Sequence, residues 1–469
     1  MIFFLFFLSF HHHVSLGGPV DPVRFAARMR VLDSQLASTL LNDMQNKRFV
    51  DSKLKAIEAE KRRLKPLNGR AIADEPSNYT GPYAKNYYEG DILLTTEQLD
   101  YILPQALPRP RRQAAKTSRY PFDIWINGAI PYSFDPKFPE DREQPVREAI
   151  KFWEKNTCIR FRENGTGSAR IRFINGYGCY SSIGKLGYEQ VVSIGSGCDW
   201  IGTIAHELAH AFGIWHTQSR YDRGNYVTLN AWNVQKHQMY NFNTQSRQYT
   251  DLYGVPYEFG SVMHYSENDF AYYSSQPTLI AKTGYERFQH SMNNYLPTTY
   301  DIHLINSYYK CYDQCKVKPE CKNGGKPDVN RCGRCRCPPG FAGIFCESIA
   351  ACGCDRVMFI DSTPVQFMAA AGWGNLNSIT YNECNIHLVA PEGKRIQLNT
   401  NSSSGYSSWN CFGAGADIRI AADPAMSGVR LCRPNTQFTP LYSDTNRLVI
   451  HLFARLNYVN FSFSAKSFS

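Results

Sequence analysis

His206, Glu207, His210, Gly213 and His216 stand at the spacing H-E-x-x-H-x-x-G-x-x-H. Residues four apart share one face of a helix, so the imidazoles of His206 and His210 can reach a single ion. Gly213 can adopt positive φ, end that helix and turn the chain so that His216 adds a third nitrogen. Three neutral imidazoles leave a coordination position for water, the arrangement of a catalytic zinc site and not a structural one. Glu207 lies beside the ion without being a ligand. It can take a proton from the zinc-bound water and pass it to a leaving amine. The implied chemistry is hydrolysis with one Zn2+ per catalytic domain. A surface helix with incidental histidines would have no use for Gly213.

These residues need a helix that carries His206 and His210, and Asp199 can cap it. They also need a domain large enough to bury it. The chain has 469 residues, 43% hydrophobic and 20% charged, which suits several domains with real cores and excludes global disorder. Net charge is +10, but residues 19–112 hold 16 basic and 12 acidic residues, so the remainder carries only +6. No basic block interleaved with aromatics occurs, and no nucleic-acid partner is expected. None of the 15 cysteines precedes Cys158, and ten fall between Cys311 and Cys384. That crowding predicts disulfide modules in the C-terminal part, and the odd count leaves one thiol without an intrachain partner.

The apolar run from Ile2 to Phe10 is too short to span a bilayer, and Ser15-Leu16-Gly17 offers small residues at a cleavage spacing. Residues 1–17 are therefore expected to be a signal peptide, with an N-terminal anchor as the alternative. No later stretch is long enough to span a membrane, so the protein is expected to be secreted. Leu32, Leu36, Leu40, Leu41 and Met44 recur at helical spacing in a charged segment, as in a solvated amphipathic helix. Arg109-Pro110-Arg111-Arg112 is a dibasic cluster in an extended, proline-flanked stretch that suits a processing protease. Cleavage after Arg112 would make residues 18–112 a propeptide; a basic linker is the plainer alternative. Asn78, Asn164, Asn401 and Asn460 each begin N-x-S/T and are candidate glycosylation sites in a secreted chain.

The undecapeptide at His206–His216 resembles that of the metzincins, which place a methionine-containing turn beneath the metal. Ser261-Val262-Met263-His264-Tyr265 fits that turn, and Met263 follows His216 by 47 positions. That spacing and wording resemble the astacins. So do Arg119-Tyr120-Pro121-Phe122-Asp123-Ile124-Trp125, Ile130-Pro131-Tyr132 and the segment from Ser219 to Val227. The resemblance covers about residues 113–311. It implies an α+β metzincin-type, astacin-like catalytic domain, with Tyr265 as a switchable zinc ligand that also stabilises the oxyanion. It further implies the bridges Cys158–Cys311 and Cys179–Cys198. Tyr88-Glu89-Gly90-Asp91-Ile92 resembles the family's propeptide motif, in which Asp91 would ligate the zinc and the propeptide would act as an intramolecular inhibitor. Two departures stand out. Thr217 and Gln218 follow the third histidine where astacins usually carry a Glu that anchors the new N-terminus. Met292-Asn293-Asn294-Tyr295-Leu296-Pro297 lacks the Arg that favours acidic residues after the scissile bond, although Arg287 is nearby.

Cys315, Cys321, Cys332, Cys335, Cys337 and Cys346 crowd into about 32 residues with Asn323-Gly324-Gly325 and Pro339-Gly340 between them. So short a segment cannot build an apolar core and must be stapled. Residues 312–347 resemble an EGF-like module, with Cys337–Cys346 the one pairing its spacing favours; a zinc knuckle suits an oxidising compartment poorly. Residues 352–469 show alternating segments at 395–398, 417–420 and 448–453 and resemble an all-β CUB-like sandwich. That likeness implies Cys411–Cys432 and either Cys354 or Cys352 to Cys384, with Cys354–Cys384 preferred. The expected whole is a multidomain, secreted zinc metalloendopeptidase acting on extracellular proteins such as matrix, cuticle or eggshell components. Its rival is a catalytically inactive matrix-binding protein that keeps the protease fold.

Overall fold

The computed structural model describes residues 87–102, 123–125, 128–247, 250–350, 354–374, 381–405, 411, 413–432, 440–455 and 457–469. The apolar run at 2–10, the amphipathic segment, Asn78, Arg112 and Cys352 lie outside them. Among the described residues, no helix is long and apolar enough to cross a membrane.

Residues ahead of the dibasic cluster contribute a short strand, β1 (Ile92–Leu93), and a helix, α1 (Thr96–Ile102). A sheet follows, made of β2 (Ile130–Phe134), β3 (Phe161–Glu163), β4 (Arg170–Ile174), β5 (Cys179–Ser182) and β6 (Glu189–Ile194). Its order is β1-β5-β6-β4-β2-β3, so β1 adds an outer strand beside β5, pairing Ile92 with Ser181 in parallel. Two helices pack on this sheet, α2 (Glu140–Asn156) and α3 (Ile201–Ala211). In α2 the buried residues Val146, Ala149, Ile150 and Trp153 recur three and four apart, the stripe an amphipathic helix turns to a core. Trp153 Nε1 donates to the Ala205 carbonyl at 3.1 Å and so ties α2 to α3.

Helix α3 is buried along nearly its whole length. Asp199 does not cap it: the N-cap is Trp200, in extended conformation and with no side-chain cap bond, so the helix begins one residue later than the capping rule places it. Its C-terminus is a Schellman motif. Gly213 takes φ +100°, its N–H donates to His210 O at 2.8 Å, and the Ile214 N–H donates to Ala209 O at 3.0 Å.

Beyond His216 the chain runs through short 3-10 turns and one small antiparallel pair, β7 (Val227–Leu229) with β8 (Leu279–Ala281). The last helix of this part, α4 (Thr299–Tyr308), opens with a capping box between Thr298 and Asp301. Residues 315–349 form two tiny antiparallel pairs, β9 (Lys326–Pro327) with β10 (Cys335–Arg336) and β11 (Phe341–Ala342) with β12 (Ser348–Ile349). The rest is a two-layer sandwich. One layer holds β13 (Arg356–Phe359), β15 (Asn382–Val389), β17 (Ala414–Arg419), β18 (Val429–Leu431) and β20 (Arg447–Ala454), in the order β13-β15-β20-β17-β18. The other holds β14 (Val365–Gly374), β16 (Arg395–Gly405), β19 (Leu441–Tyr442) and β21 (Asn457–Phe468), in the order β14-β21-β16-β19.

The described residues contain the bridges Cys158–Cys311, Cys179–Cys198, Cys315–Cys332, Cys321–Cys335, Cys337–Cys346, Cys354–Cys384 and Cys411–Cys432. With Cys354 paired to Cys384, Cys352 is the cysteine left over from the odd count.

Gly202 marks a close approach between α3 and the segment at Tyr295. A Cβ there would overlap the Tyr295 carbonyl oxygen, a backbone atom that cannot swing aside. Gly202→Ala should therefore destabilise the protein by roughly 1–3 kcal/mol in denaturant unfolding. Unfolding at the unchanged midpoint would show that the two segments do not meet this closely.

Candidate metal centre

Helix α3 presents His206 and His210 one turn apart, and the reversal at Gly213 brings His216 to them. The Nε2 atoms of His206 and His210 are 3.0 Å apart, and those of His206 and His216 are 3.3 Å apart. On the far side of each ring, Nδ1 meets an acceptor. His206 reaches the Val262 carbonyl at 2.7 Å, His210 the Ile214 carbonyl at 2.7 Å, and His216 the Glu89 carboxylate at 2.8 Å. An acceptor opposite Nδ1 fixes the proton there and leaves a lone pair on Nε2. Three lone pairs thus converge inside a buried shell, which repels itself unless a cation sits between them.

Asp91 completes the set. Its Oδ2 lies 3.2 Å from both His206 and His216 Nε2, and its Oδ1 lies 3.5 Å from His210 Nε2. Three imidazoles and one carboxylate are a four-donor N/O set that fits zinc; the harder cations Ca2+ and Mg2+ favour all-oxygen sites. Burial works against the Asp91 charge, but the shell of imidazoles around it holds its carboxyl well below the usual range.

The segment that delivers Asp91 is pinned on several sides. Glu89 and Gly90 take φ +49° and +82°, a tight left-handed bend. A Cβ on Gly90 would stand 2.6 Å from Phe270 Cζ, so only glycine passes that ring. The Tyr265 hydroxyl donates to the Glu89 carbonyl at 2.5 Å, and Gln245 Nε2 donates to Glu89 Oε1 at 2.8 Å. The Ser181 N–H donates to the Asp91 carbonyl at 3.0 Å, and Tyr88 packs edge-on against Trp215.

Glu207 is fully buried one residue from His206, and neither carboxylate oxygen has a hydrogen-bond partner. Burial, then the charge of Asp91, pushes its pKa well above the usual carboxylate range. Met263 is buried in one apolar core with Ala205, Leu208 and Ala209 of α3, its carbonyl accepting the Thr217 N–H at 2.8 Å. His264 bridges the Tyr257 hydroxyl and the Tyr265 carbonyl at 2.8 and 2.7 Å.

Four contributors escape the sequence reading: Glu89, Gln218, Gln245 and the Val262 carbonyl. Gln218 Oε1 accepts the Tyr265 N–H at 2.9 Å, so the residue beside the family's usual anchoring position holds the tyrosine turn instead. Thr217 lines a cavity of about 460 Å³ with Arg220, Glu258, Asp301 and Tyr308. Arg287 faces away, toward Asp444 of the sandwich at 3.5 Å. Only Glu89 carries a signal in the sequence, its place two residues before Asp91.

The chain is similar to known peptidases. The model of the Astacin peptidase family matches residues 117–310. Zinc metalloproteinase nas-31 of Caenorhabditis elegans is 32% identical over 379 residues, 78% of this chain, and the match spans 61% of its own length. Zinc metalloproteinase nas-29 of the same organism is 30% identical over 408 residues, 81% of this chain and 76% of its own. Among solved structures, high choriolytic enzyme 1, a hatching-enzyme zinc protease of the medaka fish Oryzias latipes, is 29% identical. That match covers 40% of this chain and 94% of that one, with a TM-score of 0.38.

The donor set predicts one zinc per chain by metal analysis of the purified protein, and loss of that zinc in His210→Ala. Stoichiometric zinc retained by the variant would move the metal elsewhere.

Proposed function

This chain belongs to the astacin peptidase family, a family of zinc metalloendopeptidases, and on that footing we propose a secreted protease made as a latent precursor and acting on extracellular proteins. One observation carries the reading: three converging Nε2 lone pairs share a buried shell with the partnerless carboxylate of Glu207. Zinc held by His206, His210 and His216 would supply the Lewis acid that acidifies a water and polarises a peptide carbonyl. Glu207 takes the proton from that water and returns it to the leaving amine; its raised pKa suits a group that must both accept and donate. Tyr265, once freed from the Glu89 carbonyl, has a phenolic hydroxyl to donate to the developing oxyanion.

Latency follows from residues 87–102. Asp91 occupies the open side of the histidine set, Glu89 holds His216 and the Tyr265 hydroxyl, and β1 covers the free edge of β5. Processing after Arg112 would remove all three together. The vacated edge of β5 would then be open for an extended substrate to pair along it.

The proposed organisation is a signal peptide at 1–17, a propeptide at 18–112 and a protease domain at 113–311. An EGF-like module at 312–347 and a CUB-like sandwich at 352–469 follow. Three disulfides within two tiny sheets support the EGF-like reading, and the two-layer sandwich supports the CUB-like one. Fourteen cysteines in disulfides suit an oxidising, extracellular compartment. Asn164 and Asn401 are exposed and accessible to glycosylation, whereas Asn460 is half-buried within β21. Matrix, cuticle or eggshell proteins are the proposed substrates. The inactive-binder alternative is disfavoured because Glu207 and all three histidines are in place.

Processed protein should degrade a denatured protein substrate, and Glu207→Ala should lower that turnover by about 10²–10⁴-fold or more. Equal turnover, or none from either zinc-loaded protein, would overturn the protease reading. Precursor carrying Asp91→Ala should cleave substrate before any processing, and a silent precursor would contradict the latency role.

A further inference from the structure

The turn that carries Tyr265 is built against the β-sandwich. Glu258, 2% exposed, accepts the Ser427 hydroxyl at Oε1 and the Ser427 N–H at Oε2, the latter at 3.2 Å. The Gly260 N–H donates to the same Ser427 Oγ at 3.2 Å, and a Cβ on Gly260 would overlap that oxygen. Beside this contact the Arg430 N–H donates to Ser291 Oγ at 2.9 Å, and its buried guanidinium donates to the Asn293 carbonyl. Asn293 and Asn294 pass the contact back to the turn: the Asn293 N–H donates to Phe259 O at 3.2 Å and Asn294 Nδ2 to Gly260 O at 2.8 Å. Apolar packing is continuous across the same boundary. Phe259, Phe288 and Met292 belong to one buried cluster with Val429 and Leu431, and Tyr295 stacks on Phe453 at 4.0 Å.

From Gly260 the chain enters the catalytic machinery within two residues. The Ser261 hydroxyl and the Val262 N–H donate to Asp301 at 2.5 and 3.0 Å. The Val262 carbonyl accepts His206 Nδ1, and Tyr265 lies three residues on. A carboxylate buried at a module boundary is costly unless its partners are held, so the Glu258–Ser427 contact commits the two modules to one arrangement.

We propose that the β-sandwich is a working part of the catalytic centre, with Ser427 and Arg430 as positioning residues that fix the 258–265 turn and, through it, His206 and Tyr265. The sandwich thereby does more than carry the protease to its substrate. This inference rests on the peptidase reading, so wild-type turnover is established first; its absence would count against that reading alone. In full-length, processed, zinc-loaded protein, Ser427→Ala should lower kcat about tenfold with KM and zinc content unchanged, the penalty of a displaced turn. Adding Glu258→Gln should cost little more, because both changes break one contact. A kcat for Ser427→Ala within about twofold of wild type, whatever its melting temperature, would overturn the proposal by making the contact merely structural. A second arm avoids side-chain changes. None of the seven described disulfides spans the stretch between Glu347 and Cys354, so a protease site introduced there cuts the chain without a covalent tether. The nicked fragments should co-elute and keep their turnover. Fragments that separate with turnover unchanged would overturn the proposal.

Discussion

Three imidazole lone pairs aimed at one another in a buried space are the constraint on which the rest depends. Each Nδ1 is held by an acceptor fixed elsewhere in the fold: a carbonyl in the methionine turn, a carbonyl just past the Gly213 reversal, and a carboxylate from the segment ahead of the protease. The arrangement is favourable only with a cation at the centre. Burial of α3, the Schellman end of that helix and the Asp301 anchor on the 261–262 backbone all serve to keep the three rings in place.

The segment from Tyr88 to Ile92 exploits the same constraint from the opposite side. A carboxylate is attracted to the metal-binding shell, and the bend at Glu89 and Gly90 lets the backbone pass Phe270 while delivering it. Because Glu89 also holds His216 and the Tyr265 hydroxyl, one short stretch touches a histidine of the set, sets Asp91 against the converging Nε2 atoms and engages the proposed oxyanion donor. That economy explains why glycine stands at position 90: a side chain there would meet both a steric wall and a strained φ.

Much of the centre was legible in the sequence because its pieces are local. The i, i+4 histidines, the glycine that turns the chain and the third histidine sit within eleven residues, where helix geometry and one glycine turn place them. The sandwich strand at 395–398 was legible for the same reason, since its period-two alternation is a local signal, whereas 448–453 is a near-continuous apolar run buried along its whole length. Asp199 misled because a good capping residue need not cap when the next residue already has the extended conformation that starts the helix. Glu89 and Ser427 were not legible because their partners are 127 and 169 positions away, and no periodicity reports such a pairing. Apart from its methionine turn and the Ser219–Val227 segment, the stretch from Thr217 to Ser291 was equally opaque, because side-chain amides such as Gln218 and Asn233 hold its short 3-10 turns.

The centre proposed above places one zinc between the three histidines and Asp91. Anomalous diffraction at the zinc edge from crystals of the full-length chain tests it directly. We expect one peak at about 2.0–2.2 Å from the three Nε2 atoms and one Asp91 oxygen. A peak bound by the histidines with Asp91 turned away, or no peak at that centre in zinc-replete protein, would contradict it.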